Sequence, residues 1–198
     1  MDLVLDNSAL IRNFIPETFD GDTFLYTEML DRSKDKGNNS HRLVQTFYHR
    51  SRDEFDEQMP TIRTLCDLTS TRAYTRLAPR SFRKVSHAFV RLVMDAALTD
   101  NHAGQKSMYN RALGTVTPNE KLWLFDVDAK TQMTEGLANR LKEDGYLKER
   151  IPSRKGEHLI TIPFDSRDYI GNHGWGLFGD VQLHKDNPTN LYIPDGAA

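Results

Sequence analysis

Apolar and polar positions change period several times along this chain. The clearest helical period runs over 82–98, with apolar residues at 82, 85, 89, 92, 93 and 96 and Ser81 placed as its N-cap. A second helix is expected over 130–144, with Met133, Leu137, Ala138 and Leu141 on one face and Gly145 at its stop. Between them, 100–119 reads either as loop or as a short helix around 108–113, and Thr117-Pro118-Asn119 punctuates it. Residues 121–128, KLWLFDVD, form a strand apolar on both faces until it ends in acid. Shorter strands are expected over 146–151, 159–164 and 181–186. The N-terminal third is less regular. There, 31–41 is a loop by composition, 43–48 is strand or helix, and Asp53, Glu54, Asp56 and Glu57 read as a solvated helix face.

Length and composition narrow the class. The chain has 198 residues, the size of one domain. Its mean hydropathy is -0.62, yet ten Phe, seven Tyr and two Trp argue against disorder. A net charge of -2 excludes a uniformly basic nucleic-acid coat but allows a local basic groove. The single cysteine, Cys66, excludes an intrachain disulfide and a cysteine-rich zinc site. No apolar run approaches the ~20 residues of a membrane span, and the first residues carry acids where a secretion signal carries bases. The expectation is a cytoplasmic protein with no membrane partner.

Charge is uneven. Residues 61–99 carry seven Arg or Lys against two Asp. In an extended strand Arg72, Tyr74 and Arg76 share one face, which suits phosphate and base contacts, and Arg80 follows; the same pattern also fits an ordinary exposed strand. Pro79 is expected to break that strand.

Two further segments carry chemistry. Asp126 and Asp128 point the same way, about 7 Å apart, at the end of a strand built for burial. Two such carboxylates repel unless a cation lies between them, and paired Mg²⁺ or Mn²⁺ ions holding nucleotide phosphates are the usual answer. Then comes Pro152-Ser153-Arg154-Lys155-Gly156-Glu157-His158. It reads either as a basic hairpin turn or as a triphosphate cradle, with hydroxyl, cationic and imidazole donors and a glycine permitting close backbone approach. The Gly-rich segment 171–179 is a loop in which Trp175 either stacks a base or is packed. His41, His49, His87 and His102 have no ligand-like spacing and are taken as structural.

Taken together, Asp126-x-Asp128 at a strand end, a helix, a strand, and then Ser153, Gly156 and His158 leading another strand resemble the catalytic core of the archaeo-eukaryotic primase (primase-polymerase) superfamily. The interval from acids to histidine, about 30 residues, suits one helix-plus-strand unit. The resemblance implies that Asp126 and Asp128 hold the metals and that Ser153, Arg154, Lys155, Gly156 and His158 meet the incoming nucleotide. It implies a third acid on a later strand: Asp186, with Lys185 beside it for phosphate, or its rival Asp180. Here Lys185 precedes Asp186, where the family has a hydrophobic residue. The expected fold is α+β, a mixed and largely antiparallel sheet flanked by the two helices. It forms a single domain over 1–198, with 1–69 flanking a catalytic core of 70–195.

The function implied is template-directed nucleotidyl transfer in replication. It would use two Mg²⁺ or Mn²⁺ ions without zinc, an NTP or dNTP, and a single-stranded template tracked by Arg72, Tyr74, Arg76 and Arg80. A separate helicase is a further partner the resemblance allows, and a bare module of this kind would suit a phage or mobile element. Two other readings stay open: a degenerate nucleotide- or nucleic-acid-binding module, and a metal-dependent nuclease on the same acids.

Overall fold

The computed structural model describes residues 4–31, 42–101, 104–170 and 181–195. The fold is α+β, with two antiparallel sheets in place of the single sheet expected. The first contains β1 (Leu5–Asp6), β2 (Thr23–Asp31), β3 (Arg42–His49), β4 (Arg72–Ser81) and β9 (Thr189–Ile193), in the order β1-β9-β4-β2-β3. The second contains β5 (Trp123–Val127), β6 (Leu147–Pro152), β7 (Glu157–Thr161) and β8 (Val181–His184), in the order β6-β7-β5-β8. Helices α1 (Ser8–Arg12), α2 (Arg52–Thr69), α3 (Phe82–Leu98), α4 (Met108–Thr115), α5 (Gln132–Glu143) and α6 (Arg167–Ile170) complete it. Strands from residues 1–69 and from the remainder pair within one sheet, so residue 70 marks no structural boundary.

Three apolar clusters define the layers. Leu25, Met29, Ala73, Leu77 and Leu191 of the first sheet meet Leu124, Ile151 and Ile160 of the second, with Ile11, Phe55 and Ile62 of α1 and α2 closing the same core. Phe125, Val127 and Leu159 turn the other way, onto Leu137 and Leu141 of α5. Phe24 and Tyr26 face Val85 of α3 and Leu113 of α4. Strand periodicity produces this division, because alternate residues of β5 and β2 enter different cores. Asn7, itself buried, ties the sheets at one edge by donating to Pro152 O and Asn190 O, both at 2.9 Å.

Local sequence explains most element ends. Ser51 caps α2 and Ser81 caps α3, each accepting a backbone N–H at 3.1 Å. The acids at the start of α2 are less solvated than expected: Glu54 pairs with Arg50, and Asp56 pairs with Arg12. Gly145 follows α5 at φ 76, a left-handed position that favours glycine. Pro79 does not break β4. The pairing slips between Phe24 and Tyr26, and Leu77 to Pro79 bulge opposite Leu25, where a missing N–H costs no ladder bond.

His49 is structural as expected, and fully buried. Its Nε2 lies 2.8 Å from Thr27 Oγ1, which lies 2.8 Å from Thr75 Oγ1. Burial pushes the imidazole from 6.5 down to about 4. Above pH 6.5 it is neutral whether folded or unfolded. As pH falls from 6.5 to about 4 the unfolded chain takes a proton that the folded one refuses, so stability drops. Between pH 7 and pH 4.5 the wild type should lose about 2–3 kcal/mol more than His49→Gln in urea denaturation. Equal losses would show that the imidazole does not govern this window.

Candidate functional site

β5 is the central strand that its apolar run predicts, lying between β7 and β8. Asp126 stands opposite His158 on one side and Gln182 on the other, so the three share a face. Leu124 and Ile160, two positions from Asp126 and His158, pack between the sheets, and the shared face therefore turns toward the five-stranded sheet. His158 is buried there. Its Nδ1 is 2.8 Å from Thr189 Oγ1, and its Nε2 is 3.4 Å from both Asp126 Oδ1 and Asn190 Nδ2. Thr189 and Asn190, at the start of β9, hold the ring from the opposite sheet. Thr189 stands opposite Thr75, the end of the hydroxyl chain from His49, so the imidazole rests on a buried polar row. The Asp126 carboxylate is 39% exposed, and Asp128, just past the strand, is exposed. Imidazole forms the floor of the site and the carboxylates form its rim.

Residues 153–156 are the tight turn of the β6–β7 hairpin. Ser153 N donates to Gly156 O, and Gly156 N donates to Ser153 Oγ, both at 3.1 Å. The Ser153 hydroxyl is thus engaged within the turn. Gly156 lies directly on the end of β5: a Cβ there would stand 1.7 Å from Val127 O and 2.9 Å from Asp128 C. Its close backbone approach is to the chain itself. This contact places the exposed Arg154 and Lys155 on a turn seated against Asp128, with Arg154 also donating to Pro194 O at 3.2 Å. Behind the turn, buried Glu157 accepts from Arg150, which also grips Glu135 of α5 at 2.7 and 2.8 Å. These two carboxylates push the Arg150 guanidinium pKa upward.

Asp186 is elsewhere. β8 runs antiparallel to β5, with His184 opposite Leu124 and Gln182 opposite Asp126. Asp186 therefore lies toward Leu122, four positions or about 13 Å along the strand from Asp126. It pairs with Arg80 Nη2, while Arg76 Nη1 donates to its carbonyl at 2.7 Å. Lys185 lies over the Trp123 ring at 5.2 Å, also at that end. The structure does not bring Asp186 or Lys185 to Asp126 and Asp128. Asp180, the Gly-rich segment with Trp175, His41 and His102 lie outside the described residues.

The basic face of β4 is also corrected. Tyr74 is buried, and Arg80 is fully buried with Nε and Nη1 lacking any hydrogen-bond partner among the described residues. Arg76 is mostly buried, between Glu28 and Asp186. Arg72, like Arg76, is only partly exposed. β4 is an interior strand, and its Arg76 and Arg80 are paired with Glu28 and Asp186. Asp186→Asn should accordingly cost about 2–3 kcal/mol, because it leaves the Arg80 charge buried without its carboxylate. A melting temperature lowered by about 5–10 °C is the expected readout. An unchanged melt combined with lost nucleotide incorporation would return Asp186 to the metal-ligand role.

Asp126 and Asp128 fit one hard cation, since Mg²⁺ is commonly held by one or two carboxylates while phosphate and water complete its shell. Among the described residues, no three His, Cys, Asp or Glu side chains gather as a metal-ligating group. Thr189, Asn190 and Glu157 are the site residues that sequence reasoning missed. The signal for the first two was present in Asn187-Pro188-Thr189-Asn190, polar residues leading directly into an apolar strand. Also among the described residues, no helix is long and apolar enough to cross a membrane. Set against known protein families, curated proteins and solved structures, the chain matches none.

Proposed function

We propose that this chain is a metal-dependent nucleotidyltransferase of the primase-polymerase type, acting on a nucleoside triphosphate and a single-stranded template. One observation carries the reading. Two motifs far apart in sequence form one site, with Asp126 beside His158 and Gly156 fixing the basic turn against Asp128. Asp126 and Asp128 would hold a Mg²⁺ or Mn²⁺ ion, which when bound neutralises phosphate charge and acidifies the attacking hydroxyl. Arg154 and Lys155 meet the triphosphate oxygens from the turn. His158, with Nδ1 engaged by Thr189, keeps Nε2 toward the reacting groups as a hydrogen-bond donor or acceptor. Arg76 and Arg80 take no part in holding template, because the fold uses them internally.

A second reading is binding of nucleotide without turnover. The engagement of Asp186 by Arg80 and Arg76 favours it, because Asp186 then supplies no third carboxylate for a two-ion site at this end of β5. The test is incorporation of labelled NTPs or dNTPs on a single-stranded template, with and without primer, in Mg²⁺ and in Mn²⁺. Product supports transfer. Nucleotide binding without product supports the second reading, and degradation of labelled strand without added nucleotide supports a nuclease.

A further inference from the structure

α3 is apolar on two faces. Val85, Ala88, Phe89 and Leu92 belong to the cluster around Phe24 and Leu113 or pack against it, and Ala96 is buried. The opposite face carries Val90, Val93, Met94 and Leu98 at 51, 42, 57 and 82% exposure, with Ala97 exposed among them. Val93 was expected to face inward. These positions follow i, i+3, i+4, i+7, i+8, so they form one continuous stripe. Isolated exposed apolar residues are ordinary, but a contiguous stripe marks a contact surface.

The charges along α3 indicate what covers it. Arg83, Lys84, His87 and Arg91 lie in its first part, and Asp95 and Asp100 lie at or beyond its last part. Its first turn holds no acid and its last turn no base. This polarity is the reverse of what the helix dipole favours, and within one chain Asp22 offsets it at the first turn, accepting from Arg83 N at 2.8 Å. Between two copies running antiparallel it becomes complementary at both ends, and the two dipoles also oppose. At 100° per residue, Lys84, Arg91 and Asp95 line the same flank of the stripe. A two-fold axis near Val93 then sets Arg91 of each copy against Asp95 of the other. Parallel pairing would set like charge on like.

We propose that two copies of this chain associate through α3, antiparallel about Val93 and Met94. The contact is isologous, each copy giving the same stripe and the same Arg91–Asp95 flank. One helix face falls short of the ~800 Å² per partner of a standard interface, so the association is expected in the micromolar range.

Sedimentation velocity of the full chain, from about 1 µM to about 300 µM, tests this. A concentration-dependent monomer–dimer equilibrium is expected. Met94→Asp should weaken it at least tenfold with circular dichroism unchanged, since Met94 is exposed. Arg91→Asp should also weaken it, and adding Asp95→Arg to that variant should restore it. A wild type that stays monomeric throughout overturns the proposal. So does a dimer that Met94→Asp leaves intact, or a double charge reversal that fails to rescue.

Discussion

Asp126→Asn should abolish metal-dependent nucleotide incorporation and leave the fold intact. The substitution keeps the shape of the side chain and a polar atom facing His158 Nε2, 3.4 Å away. Asp126 is partly solvent-exposed and the amide still offers buried His158 a polar atom, so thermal stability should change by less than about 1 kcal/mol. What is lost is one of the two carboxylates that, among the described residues, the site offers to a cation. Even residues that merely orient a ligand cost 10–100-fold when removed, so a ligand itself should cost at least about 100-fold. Incorporation assays with titrated Mn²⁺ should show both lower turnover and a higher metal requirement. Activity within twofold of wild type would remove Asp126 from the chemistry and with it the nucleotidyltransferase reading. Asp186→Asn is the natural contrast, because its expected effect falls on stability.

That contrast shows where sequence reasoning succeeds. α3, α5 and β5 were legible because their periods are long or their apolar runs unmistakable, and Ser81 announced its helix by a cap that the structure makes. The pairing of Asp126 with His158 was legible as a motif. The place of Asp186 was not, for a reason of direction. An acid at the end of a strand reaches Asp126 only if that strand runs parallel to β5. β8 runs antiparallel, so its end lies beside the start of β5. Sequence alternation shows which residues share a face but not which way a neighbouring strand runs. The same limit explains β4. Arg72, Tyr74 and Arg76 do share a face, as alternation requires, but whether that face meets water depends on what packs over it. Pro79 read as a breaker because a bulge is a property of two strands, visible only once both are paired.

Gly156→Ala should damage the site more broadly than any change of charge. No positive φ is involved; the demand is for space. The added methyl would stand 1.7 Å from Val127 O, 2.8 Å from Val127 C and 2.9 Å from Asp128 C. All three are backbone atoms of the strand end that presents the carboxylates, so no side chain can rotate away to make room. Either the 153–156 turn lifts off β5 or the end of β5 bends, and the Val127–Glu157 pairing next to it must open. Forcing a methyl into so tight a contact costs about 1–3 kcal/mol or more, a fall of roughly 5–10 °C in melting temperature. The functional loss should exceed what that instability explains, because the displaced atoms set the distance between Asp128 and the cations of the turn. At a temperature where the variant is still folded, incorporation and nucleotide binding should both fall at least tenfold. Arg154→Ala, on the same turn but exposed, should weaken nucleotide binding with little change in melting temperature. If Gly156→Ala melts like the wild type and binds nucleotide equally well, then the hairpin is not clamped on β5 and the two motifs do not form one site.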